Sequence, residues 1–351
     1  MLKQEIDRAV EESARKLYQM SIPPVRRWLL ETVMDKDEND PSVQRAIEES
    51  QKYPFLARML AKQRKDGTWP IPTQRRIEED AGPGPPYGWT YISMVRNLYI
   101  AYEYCVRSDD PHIQLALERI LSWQHEEGYI NGPYPDMIPR AHYNGIVLGI
   151  LHKFGYGNDP RTKKLANWLL KTQRKDGGWN IPYIQDMRYR PEYKFLRNDE
   201  FIDLVKAGKT PEYDPQDYMD IPSCIWTTAG VNRGLAWLRP FHASKAAHRG
   251  GEFVLDRFFK SNYHSNFYQS GKNWTMLKFP TYAGSGLTVL DSLIYLGFGP
   301  DDERMEKPIR WLLGERRKDG FWYRSHRPHP IDDQWLTVSA LLVLHLYSSK
   351  Y

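Results

Sequence analysis

An eight-residue stretch of this chain, QRKDGGWN at 173–180, has close copies elsewhere in the sequence. They are QRKDGTWP at 63–70 and RRKDGFWY at 316–323, and more divergent copies are QHEEGYI at 124–130 and SGKNW at 270–274. The most regularly spaced copies lie about 50 residues apart, the length of one supersecondary unit in a repeat protein. The chain is therefore predicted to stack several copies of one unit against each other.

The repeated turn has a simple physical interpretation. In each close copy an amphipathic segment ends at Gln or Arg, Asp-Gly follows, and a tryptophan closes the turn. Glycine tolerates the positive φ that reverses a chain at a helix end. A buried tryptophan needs an acceptor for its indole N–H. We therefore expect the tryptophan to fold back over the preceding helix and donate to a backbone carbonyl, which makes the turn architectural.

Amphipathic segments such as RTKKLANWLLKTQ alternate with more apolar ones such as CIWTTAGVNRGLAWL, which predicts outer and inner helices. The predicted pairs, outer then inner, are 2–19 with 23–34, 43–63 with 87–104, 111–124 with 142–155, 160–173 with 223–238, 242–260 with 283–297, and 302–316 with 333–348. Six pairs predict an all-α fold, an α6/α6 toroid of inner and outer helices. We expect a single domain over 1–351, with an insertion at about 183–220.

The composition excludes several classes of protein. The chain is 41% hydrophobic and 26% charged, as expected of an ordered globular protein, and its net charge of +5 is dispersed, so no nucleic acid partner is expected. Two cysteines, Cys105 and Cys224, are too few for a disulfide framework. The sequence contains no apolar run of membrane-spanning length, and the charged residues at 1–16 lack the apolar core of a signal peptide. We expect a cytoplasmic protein without a transmembrane segment, and peripheral membrane contact stays open.

The motifs QRKDGTW, QRKDGGW and RRKDGFW resemble the QW motifs of the prenyltransferase/squalene oxidase repeat family. That family includes squalene-hopene cyclases and other class II terpene cyclases. GGEFVLDRFFKSN and KFPTYAGSGLTVLDSLIYLG are similar to its single-toroid prokaryotic members, which have no settled reaction. The resemblance implies an α6/α6 toroid that binds an isoprenoid or other hydrophobic ligand in a central aromatic cavity. If the protein is an enzyme, it implies a class II terpene cyclase-like isomerase or lyase with acid-initiated cyclisation.

The segment PIDDQW at 330–335 lies at the start of the last predicted inner helix. It resembles the D-x-D-D motif of class II cyclases, whose middle aspartic acid protonates an alkene. Aligned on the paired acids, Asp332 takes the middle position and Asp333 the last, while Pro330 stands in place of the first acid. The resemblance implies Asp332 and Asp333 as catalytic candidates. The alternative is that they cap the last inner helix, because Asp is a preferred residue at helix starts.

In a toroid of this type the inner helices would all begin at one end of the cavity. Side chains at those helix starts are therefore the candidates for ligand binding, and aromatic rings among them would stabilise a cationic or apolar ligand. The candidate substrate-binding residues are Trp89, Arg140, Asp220, Trp226, Tyr282, His329 and Trp335. The insertion at about 183–220 is expected either to close over the cavity mouth or to pack on its rim.

The segment PRAHYNG at 139–145 supports a second hypothesis. Arg140 would bind the carboxylate of a uronate, and His142 and Tyr143 would carry protons in β-elimination or hydrolysis. A polysaccharide lyase or hydrolase acting on an anionic glycan is therefore an alternative, and a non-catalytic binding protein is a third. Consecutive helical residues do not share one face, so not all of this segment is expected to face the cavity.

No cofactor or bound metal is expected. His326, His329 and Asp332 are residue types that suit zinc, but their spacing on a proline-rich loop is weakly specific. The sequence contains no D-D-x-x-D diphosphate motif and no glycine-rich phosphate loop. The acidic pairs at 109–110 and 301–302 coincide with predicted helix starts and are interpreted as caps.

Overall fold

The computed structural model describes residues 2–71, 89–133, 139–182, 184–196, 198–238, 244–263, 270–281, 284–325 and 327–351. The regular structure of these residues is helical, which confirms the all-α prediction. They contain no β-strand, although Gln124 and Ile130 form an isolated antiparallel bridge. Across the same ranges, no helix has both the length and the apolar character needed to cross a bilayer.

Fifteen α-helices lie in the described residues. They are α1 (Leu2–Met20), α2 (Pro23–Thr32), α3 (Pro41–Gln51), α4 (Pro54–Leu60), α5 (Trp89–Glu103), α6 (Pro111–Leu121), α7 (Ala141–Lys153), α8 (Pro160–Lys171), α9 (Ile184–Met187), α10 (Asn198–Lys206), α11 (Ile225–Leu235), α12 (Lys245–Leu255), α13 (Gly286–Tyr295), α14 (Glu306–Gly314) and α15 (Asp332–Ser348). The inner helices of the predicted pairs correspond to α2, α5, α7, α11, α13 and α15. Helices α3, α4, α6 and α8 begin with proline, which costs little at the first helical position.

The segment predicted as one outer helix over 43–63 is two helices in the structure, so that prediction was wrong. Helix α3 ends at Gln51 and α4 begins at Pro54. Proline has no backbone N–H, and it disfavours helical geometry in the residue before it. That residue, Tyr53, is extended, with φ −68° and ψ 129°. Two short helices therefore occupy this outer position.

The inner helices contact one another in a fixed order. Helix α5 contacts α7, α7 contacts α11, α11 contacts α13, α13 contacts α15, and α15 contacts α2. Between α2 and α5, Trp28 Nε1 donates to the Glu103 carbonyl at 3.1 Å, and its ring centroid lies 5.7 Å from that of Tyr102. Each inner helix thus touches two other inner helices.

Helices α7 and α11 approach most closely because glycines line their contact. A Cβ atom at Gly234 of α11 would lie 1.7 Å from the carbonyl oxygen of Gly145 of α7. A Cβ at Gly145 would lie 2.5 Å from the Cα atom of Val231. No side chain fits at either glycine without moving a backbone. This contact fixes the position of the α7 start relative to α11.

The repeated turn has the predicted geometry. In the three close copies the tryptophan Nε1 donates to a carbonyl ten residues earlier, at 2.7–2.9 Å; the pairs are Trp69 to Met59, Trp179 to Leu169 and Trp322 to Leu312. The glycines have φ between +86° and +99°; they are Gly67, Gly177 and Gly320. The architectural interpretation of the turn is confirmed.

The glutamine that opens a turn has a second role that the sequence did not predict. Its Nε2 donates to a carbonyl in the first turn of the next outer helix at 2.8 Å; the pairs are Gln63 to His112, Gln124 to Arg161 and Gln173 to Ala246. The turn therefore joins adjacent repeats as well as closing its own.

The segment 184–220 has a small hydrophobic core of its own. The buried core residues are Met187, Phe201 and Tyr218, with Ile221 immediately after the segment. A buried ion pair between Asp186 and Arg174 joins this segment to the repeat turn, and Tyr213 Oη donates to the same carboxylate at 2.7 Å. Removing one partner of a buried pair typically costs about 3–5 kcal/mol, so replacing Asp186 or Arg174 alone should destabilise this contact.

Candidate functional site

Several residues named by the sequence meet at the start of α7. Arg140 is the N-cap residue, and His142 and Tyr143 lie in the first turn. The ring centroids of His142 and Tyr143 are 4.4 Å apart, and the Arg140 guanidinium carbon is 5.9 Å from the Tyr143 centroid. Tyr91 of α5 completes the group, with its ring 6.0 Å from that of Tyr143. We call Tyr91, Arg140, His142 and Tyr143 the α7 site.

The Asn144 side chain is hydrogen-bonded to backbone groups and anchors the α7 site. Its Oδ1 accepts from the Ile130 backbone N–H at 2.7 Å, and its Nδ2 donates to the carbonyls of Ile130 and Arg140 at 3.1 and 2.9 Å. This matches the prediction that not all of 139–145 would face one way. The anchor holds the α7 start against the preceding repeat turn.

Burial dominates the electrostatics of the α7 site. Arg140 is only 4% exposed. Burial, assisted by the Arg140 charge, lowers the pKa of His142 to about 3, so its imidazole is neutral at neutral pH. Burial also raises the pKa of Tyr91 far above its ordinary value. The site therefore combines one cation with neutral groups able to form hydrogen bonds.

Two enclosed polar atoms of the α7 site, Tyr91 Oη and His142 Nδ1, have no hydrogen-bond partner within the part of the chain that the structure describes. Buried polar atoms are nearly always satisfied, and leaving one unsatisfied costs about 1–3 kcal/mol. A polar group of a ligand, or water, would satisfy both atoms. The α7 site is therefore the best candidate for recognition of a polar group.

Aromatic and basic side chains also lie at the start of α11 and in the segment before α13. Trp226 in the first turn of α11 is 8% exposed and lies 4.8 Å from the ring of Trp274. A Cβ atom at Gly284 would lie 3.0 Å from the Trp226 indole. Lys278 Nζ donates to the Gly284 carbonyl at 3.0 Å, and burial lowers the pKa of Lys278 to about 8. A partly desolvated lysine therefore lies close to Trp226.

The remaining aromatic candidates differ in their surroundings. Trp335 in α15 is 3% exposed, with its ring 5.6 Å from Tyr104 and 6.4 Å from Phe279. Trp89 is half-buried at the first position of α5. Tyr282 lies outside the described residues. Trp335 is thus packed among aromatic rings at the start of α15.

Asp332 and Asp333 are both occupied by nearby donors. Asp333 is 5% exposed, and its two oxygens accept from the backbone N–H groups of Arg324 and His329, each at 2.8 Å. Asp332 forms an ion pair with the Arg324 guanidinium. The carboxylates therefore bind the loop before α15 and do not cap the N–H groups of α15 itself. Asp332 and Asp333 hold the loop before α15 against the start of this helix, an arrangement we call the α15 latch. The alternative expectation, that they cap the N–H groups of α15, was wrong.

Two further candidates lie at the surface. The side chain of Asp220 is 83% exposed and pairs with Lys175 at 2.7 Å. The side chain of His329 is 51% exposed. His326 lies outside the described residues. Elsewhere in the described chain, no three His, Cys, Asp or Glu side chains are placed to hold a metal ion.

A second buried polar cluster, which the sequence did not predict, joins α5, α11, α13 and the segment before α13. Arg233 of α11 forms an ion pair with Asp291 of α13, and both side chains are no more than 6% exposed. Arg233 Nη2 also donates to Tyr99 Oη at 3.3 Å. Tyr99 Oη lies 2.8 Å from Thr281 Oγ1. We call Tyr99, Arg233, Thr281 and Asp291 the central network.

Glu103, the last residue of α5, borders the central network. Burial raises the pKa of Glu103 to about 7, although Arg233 and Tyr99 act in the opposite direction. The sequence did contain a signal for this region, because Arg233 and Asp291 are charges within helices that are otherwise apolar. Such charges are rarely buried without a partner, so each would have indicated the other.

Comparison with known proteins leaves the function open. No family model matches the chain, and no curated protein matches it. Among solved structures, a protein from Actinoplanes is similar over 99% of this chain and 100% of its own, at 14% sequence identity and a TM-score of 0.48.

Proposed function

We propose that the protein is an α6/α6 toroid of the prenyltransferase/squalene oxidase repeat type. Its proposed function is to bind an isoprenoid-like apolar ligand with an acidic head group at the α7 site. The observation that carries the proposal is the pair of enclosed polar atoms, Tyr91 Oη and His142 Nδ1, beside the buried Arg140.

The toroid is supported by the repeats and by the order of contacts. The inner helices touch in sequence from α5 to α15, then α2, and Trp28 links α2 back to α5. In a toroid the starts of the inner helices share one end of the cavity. Helix N-termini carry partial positive charge, so that end favours an acidic group.

The acidic head group is inferred from two cations, Arg140 of the α7 site and Lys278 beside Trp226. Arg140 supplies a buried guanidinium, which forms strong charge-assisted hydrogen bonds with carboxylates and phosphates. Lys278 is a second cation, and an anion nearby would favour its charged form over the neutral form that burial favours. Tyr143 and Trp226 supply aromatic faces for the apolar body of the ligand.

The proposal is restricted to binding. Alkene protonation requires a carboxyl group held neutral and ready to donate a proton. Asp332 instead pairs with Arg324, and Asp333 accepts two backbone N–H groups. These contacts favour a structural role for both residues over acid-initiated cyclisation.

An anionic glycan is the second candidate, because Arg140, His142 and Tyr143 do converge. A histidine whose pKa is about 3 is a weak base at neutral pH, which does not favour β-elimination. We therefore rank glycan binding below binding of an apolar acid.

Isothermal titration calorimetry with farnesoic acid and farnesol, which share one chain and differ in the head group, tests the proposal. We expect the acid to bind about 10–100 times more tightly than the alcohol, because a hydrogen bond to a charged group contributes about 1.5–3 kcal/mol. Arg140→Met should remove most of this difference. Arg107→Met is the matched control, because its guanidinium is exposed and pairs with Asp109.

Equal affinity for the acid and the alcohol would contradict the proposed head group. Tighter binding of an oligogalacturonate than of farnesoic acid would contradict the apolar ligand and support the glycan alternative.

A further inference from the structure

One loop of the segment 184–220 exposes large aromatic side chains to solvent. Phe195 is 88% exposed and Tyr189 is 43% exposed. Exposed single apolar residues are common, but a ring this open buries almost none of its surface in the fold. A group of such rings indicates a contact surface.

The loop holds Phe195 outward. Arg188 Nη2 donates to the Leu196 carbonyl, which closes the loop on itself. Tyr193 contacts Phe201, with ring centroids 5.5 Å apart, and Leu196 packs against the same small core. Tyr193 and Leu196 are therefore anchored, while Phe195 between them is exposed and lies outside the core that they join.

The aromatic surface extends beyond the loop. The ring of Tyr189 stacks on that of Tyr263 at 5.7 Å, and Tyr263 is 53% exposed. Tyr263 also lines a surface cleft of about 560 Å³ together with Arg257, Lys260 and Asp256, and Asp256 is paired with Arg304. Aromatic and basic side chains from two separate parts of the chain thus lie close together at the surface.

Charge is unevenly distributed along the insertion. The stretch RYRPEYKFLR at 188–197 has four basic residues and one acidic residue. The following stretch, 198–220, has two basic residues and seven acidic ones. The aromatic loop is therefore the basic part of an otherwise acidic segment, which matches an anionic surface.

We infer that Tyr189, Phe195 and Tyr263, with Lys194 and Lys260, form a membrane-contact patch for anionic phospholipid. Aromatic rings favour the interface between lipid and water, and lysine and arginine near a charged leaflet each contribute binding free energy. The lipid explains the exposed Phe195, which a purely electrostatic partner would leave in water. This inference does not depend on the ligand proposed for the α7 site.

Vesicle co-sedimentation of the full chain tests the patch. We expect binding to phosphatidylcholine–phosphatidylglycerol vesicles, weakened by salt, and at least about tenfold weaker binding to phosphatidylcholine alone. Phe195→Ser should lower the partition coefficient about tenfold, because burial of a phenylalanine side chain is lost. Lys194→Glu should lower it by a similar factor.

Met20→Ser is the matched control, since Met20 is 58% exposed on α1, and it should leave the partition coefficient within about twofold. Circular dichroism of the Phe195 variant should match that of the wild type, because the ring packs against little. Failure of the wild type to sediment with anionic vesicles would overturn the inference. So would vesicle binding that Phe195→Ser leaves unchanged, or a preference for duplex DNA over anionic vesicles.

Discussion

The starts of α7 and α15 both carry residues that the sequence indicated, but they are built differently. At α15, Asp333 accepts two backbone N–H groups and Asp332 pairs with Arg324. At α7, Tyr91 Oη and His142 Nδ1 are enclosed with no partner among the described residues. Satisfied carboxylates stabilise a loop, whereas unsatisfied polar atoms cost free energy unless a ligand or water meets them. The two α15 carboxylates therefore have a structural role, whereas Tyr91 Oη and His142 Nδ1 at α7 can meet a ligand.

The largest effect is expected at the α15 latch. Asp333→Ala leaves the Arg324 and His329 backbone N–H groups without their acceptor, so the free energy of unfolding should fall by about 2–3 kcal/mol. Urea denaturation measures this change. Affinity for farnesoic acid should stay unchanged at low denaturant, where the variant is folded. A loss of affinity without a loss of stability would reverse the roles that we assign to the two helix starts.

The next effect concerns His142 and pH. Its pKa is about 3 in the folded protein and ordinarily 6.5, so the unfolded chain binds a proton that the folded chain does not. The contribution of His142 to the free energy of unfolding should therefore be fully present above pH 6.5. It should fall as the pH is lowered, by about 2 kcal/mol at pH 5. His142→Gln should lack this component. Denaturation midpoints of both proteins at pH 8 and pH 5 measure it, and equal pH dependence would contradict the burial of His142.

Glu103 should show the opposite pH dependence. Its pKa is about 7 in the folded protein and ordinarily 4.5, so the folded chain holds a proton that the unfolded chain has lost. Stability should therefore fall as the pH rises from 4.5 to 7, by about 1–2 kcal/mol once solvent screening of this half-buried group is considered. Glu103→Gln should be stabilised relative to the wild type at pH 8 but not at pH 4.5. Thermal unfolding at both pH values measures the difference.

The smallest effect is expected for Asp332→Asn. The ion pair with Arg324 is partly exposed, with side-chain exposures of 18% for Asp332 and 30% for Arg324. Pairs of this kind contribute about 0–1 kcal/mol and are screened by salt. The variant should lose less stability than Asp333→Ala, and less still in 1 M sodium chloride. A larger loss than for Asp333→Ala would show that the latch depends on charge.

The helices and turns were predictable because their causes are local. The Trp179 turn needs only a glycine and a carbonyl ten residues earlier, and both stand in one short stretch of sequence. The break in the predicted helix over 43–63 could also have been predicted from Pro54, because proline interrupts a helix. The cluster at 139–145 was predictable from residue types, although Tyr91, which completes it, belongs to another repeat.

The central network was not predictable in the same way. Tyr99 meets Arg233 across 134 residues and Thr281 across 182 residues. Such contacts depend on how the repeats are arranged in space, which no local pattern specifies. For the same reason the sequence could not show that Asp332 and Asp333 bind the loop before α15, because helix caps and loop latches use the same residue type.

The most direct test of the central claim is native mass spectrometry of the purified protein, with extraction and identification of any bound molecule and with added farnesoic acid if none is present. The account predicts a one-to-one complex with an apolar acid, lost in Arg140→Met and retained in Asp333→Asn. A bound sugar acid would contradict it. So would a protein that purifies without ligand and forms no complex with farnesoic acid.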